Sequence, residues 1–137
     1  MAGLHFSCGK WLGNDKSAGP IFIIIMEVLP EHLREDERQT WDEKVDRFFW
    51  EPIGEPATQV QIPLEIMQLL IGPARRYRAK LAKRLKLSGP NAGMSELDNW
   101  DPGDFRQPEF RYRCLVDFER AFEECCRTGE PVKVTFC

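Results

Sequence analysis

Two kinds of apolar pattern alternate along this chain, and their order constrains the fold more than any other sequence feature. In Val132–Phe136 apolar residues alternate with polar ones, which is the period of a half-buried strand. The run Leu4–Cys8 is also typical of a strand, and residues 58–62 predict a short edge strand stopped by Pro63. Residues 21–28 are apolar on both faces, so we expect a buried central strand there, paired with the first run as a hairpin.

The segments between these runs carry apolar residues at helical spacing. We predict one helix over residues 30–50, opened by Pro30 and ended by Pro52, with an exposed first half and a buried second half. A second, strongly apolar helix begins near residue 64. The pair Gly72-Pro73 should kink or break it, because proline removes a helical donor and clashes with the preceding turn.

Two further helices are predicted in the second half of the chain. Residues 74–87 form a helix with a narrow apolar stripe, and Pro108 opens a last helix for which Gly129 is placed as the C′ cap. Residues 88–107 between them predict a long irregular connection. With 137 residues, the chain is expected to form a single α+β domain over residues 1–137. It should hold a small mixed or antiparallel sheet of three to four strands, packed with three to four helices.

Charge is segregated along the chain. Residues 1–68 hold six basic and twelve acidic side chains, residues 69–91 hold seven basic and no acidic ones, and residues 92–137 hold six basic and ten acidic ones. Such segregation creates local fields larger than the net charge of −3 suggests.

The basic helix over residues 74–87 favours nucleic acid as one class of partner, because each phosphate that it neutralises adds affinity by counterion release. The candidate contacts are Arg75, Arg76, Arg78, Lys80, Lys83 and Arg84. No helix-turn-helix, zinc-finger or RNP pattern accompanies them. The alternative is that this helix packs beside the acidic helix or simply faces solvent.

The acidic segments favour a protein partner with a basic surface. The candidate contacts on the helix over residues 30–50 are Glu35, Asp36, Asp42 and Glu43, and those in the long connection are Asp98, Trp100, Asp101 and Asp104. A tryptophan in such a loop is a natural protein contact. Basic side chains are interspersed on the acidic helix, so an ordinary solvated face is the competing interpretation.

Catalytic and metal sites find little support in the sequence. Nucleophile-elbow, P-loop, zinc-protease and dinucleotide-binding patterns are all missing, so we expect no enzyme and no cofactor. His5 and Cys8 have a metal-like spacing, but a site would need Cys125, Cys126 or Cys137 to converge on them, and we expect no metal. A pair of Cys8 with His32 would be an accident of folding.

Location and membrane contact follow from the apolar runs. None approaches the roughly 18 residues needed to span a bilayer, and the N-terminus lacks the pattern of a signal peptide. We therefore expect a cytoplasmic protein whose five cysteines are thiols. The predicted function is a non-catalytic macromolecular interaction module, of the inhibitor or immunity type, that neutralises a partner protein by charge complementarity. The alternative is a nucleic-acid-binding protein that uses the basic helix.

Overall fold

The computed structural model describes residues 4–12, 21, 23–50, 59–85 and 108–136, which include one four-stranded sheet. Its strands are β1 (Leu4–Cys8), β2 (Trp11–Leu12), β3 (Gln59–Ile62) and β4 (Val132–Phe136). All pairs are antiparallel, in the order β2-β1-β4-β3. The first and last strands of the chain are therefore neighbours, and the pairing confirms the predicted strand Val132–Phe136 and the edge position of β3.

The described residues also form four helical elements. The first, α1, joins a π-helical turn (Ile24–Val28) to a 3-10 turn (Leu29–His32), and α2 covers residues 35–50 with α-helical ends around a central π-helical stretch, Trp41–Asp46. The two long helices are α3 (Leu64–Arg84) and α4 (Pro108–Thr128). Together with the sheet they confirm the α+β class.

The predicted strand over residues 21–28, and with it the hairpin to β1, is wrong. The described residues of this run are helical, and Ile21, Ile24, Ile25 and Leu29 are all buried while Glu27 is exposed. This burial pattern has helical spacing. A short apolar run fits a buried strand and a buried helix equally well, and β4 takes the place beside β1 that the hairpin would have needed.

Two predicted helix boundaries also differ from the structure. The helix expected over residues 30–50 is interrupted at Leu33 and Arg34, whose extended backbone separates α1 from α2. Of the kink or break predicted at Gly72-Pro73, the break is wrong: α3 runs through Pro73 to Arg84. Burial explains this continuity: both long helices pack on each other, and the tertiary contacts outweigh the hydrogen bond that the proline removes.

The last helix ends as predicted. Gly129 has a φ of 73°, and its amide donates to the Cys125 carbonyl at 2.9 Å, which closes α4 before β4 begins.

The core lies between the sheet and the two long helices. Phe6 on β1 meets Phe118 on α4 with ring centroids 6.2 Å apart, and both are fully buried. Buried residues of all four helical elements join the same cluster. Among the described helices, none is both long enough and apolar enough to cross a membrane.

Candidate interaction surface

Three of the six cations proposed for nucleic-acid contact are bound to carboxylates of the same chain. Arg78 donates from Nε to Glu119 Oε1 at 2.8 Å, and this pair is buried between α3 and α4. The Arg75 Nε lies 3.7 Å from the same oxygen, and its guanidinium stands 5.4 Å from the Phe122 ring centroid. These contacts join the two long helices, and of the two cations Arg78 is buried whereas Arg75 stays exposed at the edge of the helix pair.

Arg76 performs a similar role on the other side of α3. It pairs with Glu37 of α2, and its Nε donates to the His32 carbonyl at 3.0 Å. Glu37 also accepts the amide of Arg34 at 2.8 Å, which satisfies a free donor at the start of α2. The basic helix α3 and the acidic helix α2 are therefore in contact: Glu37 caps the start of α2 and pairs with Arg76 of α3.

Lys80, Lys83 and Arg84 are the remaining three cations. All are exposed, and their spacing of three and one residues puts them on one side of α3. Lys80 Nζ lies 3.2 Å from Nδ1 of His32, whose ring stacks on Tyr77 at a centroid distance of 4.8 Å. Burial lowers the pKa of His32, and the charge of Lys80 lowers it further. The neutral ring then serves as an acceptor for the lysine.

The acidic candidates on α2 have a different environment. Glu35, Asp36, Asp42 and Glu43 are all exposed. Glu43 accepts a hydrogen bond from Gln39 at 3.1 Å, whereas no ion pair to the other three occurs within the described part of the chain. Asp98, Trp100, Asp101 and Asp104 lie outside the described residues.

Two clefts, which the sequence does not predict, lie along the seam between α2 and α3. The Trp41 cleft has a volume of about 160 Å³ and is lined by Leu33, Asp36, Glu37, Thr40, Trp41, Gln68 and Leu69. The Phe48 groove is more open, has a volume of about 420 Å³ and is lined by Glu43, Lys44, Arg47, Phe48, Pro63, Glu65 and Ile66.

The two clefts share one face of α2. Asp36 and Thr40 of the first cleft and Glu43 and Arg47 of the second follow each other at helical spacings of four, three and four residues. The helices run antiparallel here, since the start of α2 contacts Arg76 and its end lies beside the start of α3. From Asp36 to Arg47 the seam extends over about three helical turns, and its lining combines apolar side chains with charged side chains of both signs.

Trp41 is the least satisfied side chain of this strip. It is 3% exposed, and its indole Nε1–H has no hydrogen-bond partner among the described residues. The helical spacing of Leu33, Trp41 and Phe48 marks them in the sequence as one apolar stripe. Nothing in the sequence shows that α3 leaves part of that stripe uncovered.

The described part of the chain contains no group of three His, Cys, Asp or Glu side chains placed to hold a metal ion. Cys8 and His32 contact different elements: the Cys8 thiol lies 3.5 Å from Thr128 Oγ1, at the end of α4, and His32 lies on Tyr77 of α3. Burial raises the pKa of the Cys125 thiol to about 11, which keeps this thiol protonated at neutral pH.

Comparisons with protein-family models, with curated proteins and with solved structures found no match to this chain.

Proposed function

We propose that this protein is a non-catalytic interaction module that binds a basic surface of a partner protein through the exposed carboxylates of α2. The observation that carries the proposal is an asymmetry of pairing. Three cations of α3 are engaged by carboxylates of the same fold, whereas Glu35, Asp36 and Asp42 are exposed and have no ion pair within the described residues.

The seam beside these carboxylates gives the surface an apolar component. Interfaces that bind specifically need buried contact as well as complementary charge, because rim charges mainly steer association and exclude wrong partners. The Trp41 cleft and the Phe48 groove supply that contact area along the same face of α2. A module of this kind acts as an inhibitor or immunity-type protein does, by covering the basic working surface of its partner.

The proposal includes the predicted cytoplasmic setting. The four described cysteines are in no disulfide, and a reducing compartment keeps cysteines as thiols.

The test is capture of a partner from a lysate of the native host on immobilised protein. Wild type should retain one protein in stoichiometric amount. A variant with Glu35→Lys, Asp42→Lys and Glu43→Lys should lose it, because reversed charges repel a basic surface.

The matched control reverses three exposed carboxylates elsewhere, Glu109→Lys, Glu123→Lys and Glu130→Lys, which gives the same change in net charge. It should retain the partner. Equal loss in both variants would show a dependence on net charge alone, and retention by the α2 variant would contradict the proposal. Circular dichroism of both variants checks that the fold is intact.

A further inference from the structure

The Trp41 cleft has the size and the chemistry to receive one arginine side chain. We propose that it is the site at which the partner's basic surface inserts a single arginine. The inference rests on the proposed function and names the group that the acidic face recognises.

The volume of the cleft sets the size of its ligand. Small-molecule sites usually enclose roughly 300–1,000 Å³. At about 160 Å³ the Trp41 cleft is smaller than that range, so a single long side chain matches it better than a cofactor or a metabolite does.

The lining of the cleft matches a side chain that has an apolar stem and a charged end. Leu33 and Leu69 are half-buried and line the cleft beside the indole of Trp41. Methylene groups pack against such walls while the charged end stays near water. Asp36 lies on the exposed side of the same cleft and provides the opposite charge.

Two carboxylates line the cleft, those of Asp36 and Glu37, and they differ in whether the fold already binds them. Glu37 already binds Arg76 and the Arg34 amide through Oε1. Asp36 has no ion pair within the described residues, so it is the carboxylate left to bind an incoming cation.

Arginine fits this cleft better than lysine. Its planar guanidinium can bind the Asp36 carboxylate through two donors, whereas a lysine ammonium acts as a point charge. Trp41 lines this cleft, and its indole N–H has no hydrogen-bond partner among the described residues, so its resonance is a sensitive reporter of a ligand there.

The test uses N-acetyl-L-arginine N-methylamide as the probe and nuclear magnetic resonance of the ¹⁵N-labelled protein as the readout. The indole resonance of Trp41 is identified by its disappearance in Trp41→Phe. Titration should shift this resonance along a saturable curve. The citrulline analogue, which has nearly the same shape but no charge, should bind about fivefold more weakly, as expected for loss of an exposed ion pair.

Two substitutions of the same type locate the contact. Asp36→Asn should weaken binding of the arginine probe about fivefold. Asp42→Asn should leave it unchanged, because Asp42 is an exposed aspartate of the same helix that lines neither cleft.

The proposal is overturned if the Trp41 resonance does not saturate, if the citrulline analogue shifts it equally, or if Asp36→Asn has no more effect than Asp42→Asn. The triple α2 variant in the capture experiment retains Asp36, so the arginine site and the proposed function can be refuted independently of each other. A partner that wild type and Asp36→Asn retain equally, and that the triple α2 variant loses, would refute the arginine site and leave the proposed function standing.

Discussion

At the scale of single residues, burial decides what each cation of α3 does. The sequence places Arg78 in one basic run with Lys83 and Arg84, where the three look equivalent. In the fold, the side chain of Arg78 is 8% exposed and that of its partner Glu119 is 11% exposed. A buried charge must be paired, because an unpaired one bears the full cost of desolvation. Glu119 is therefore a structural residue, and the sequence does not distinguish it from its exposed neighbour Glu123.

Removing the carboxylate of Glu119 tests this role. We expect Glu119→Ala to lower the free energy of unfolding by about 3 kcal/mol, since it removes the carboxylate that pairs with the buried Arg78 guanidinium. Urea unfolding followed by circular dichroism measures the change. The control Glu123→Ala removes an exposed carboxylate of the same helix and should stay within about 0.5 kcal/mol of wild type. A cost below about 1 kcal/mol for Glu119→Ala would mean that the pair contributes little.

At the scale of elements, two glycines have opposite roles. Gly72 lies inside α3 with helical backbone, and a Cβ there would meet the Arg76 and Glu37 side chains at 3.5 Å, which is ordinary contact. Gly129 ends α4 with a φ of 73°, and a Cβ there would meet nothing within 4 Å. A side chain at position 72 should therefore stabilise the fold, whereas position 129 needs a left-handed backbone conformation that glycine adopts without strain.

Paired alanine substitutions should therefore change stability in opposite directions. Gly72→Ala should raise the free energy of unfolding by about 0.5–1 kcal/mol, because alanine restricts the unfolded chain and favours the helix. Gly129→Ala should lower it by about 1 kcal/mol, because the left-handed conformation strains an L-residue. Thermal melts of the two variants measure both shifts, and a stabilising Gly129→Ala would contradict the assigned cap.

At the scale of the whole molecule, internal pairing reduces the charge segregation that the sequence shows. Residues 69–91 carry seven cations, but Arg75, Arg76 and Arg78 have carboxylate partners from α2 or α4. The exposed cations described on α3 without a carboxylate partner are Lys80, Lys83 and Arg84. Contact with so few phosphates supports only weak binding, because the affinity gained by counterion release grows with the number of phosphates neutralised.

We therefore expect no retention on a double-stranded DNA column at about 0.15 M salt, where the Debye length is about 8 Å. The protein has a net charge of −3, which also opposes approach to a polyanion. A variant with Lys80→Gln, Lys83→Gln and Arg84→Gln should elute together with wild type. Retention of wild type that is lost in this variant would instead support the alternative of nucleic-acid binding through α3.

The sequence by itself determined the α+β class, the strands β1, β3 and β4, the last helix and its glycine cap. These elements have local causes: alternating residues produce a two-sided strand, and Gly129 at the end of α4 adopts a φ that other residues avoid. The exposed acidic residues of α2 could also be chosen from the sequence, because their exposure follows from helical spacing.

Only the tertiary structure decided the helical state of residues 21–28, the continuity of α3 through Pro73 and the cleft beside Trp41. Each depends on contacts between segments distant in the chain. A short apolar run can be buried as a strand or as a helix, and the segments that pack around it determine which of the two forms. In the same way, the carboxylates supplied by α2 and α4 determine which cations of α3 stay exposed, and the antiparallel packing of α2 on α3 creates the seam on which both proposals rest.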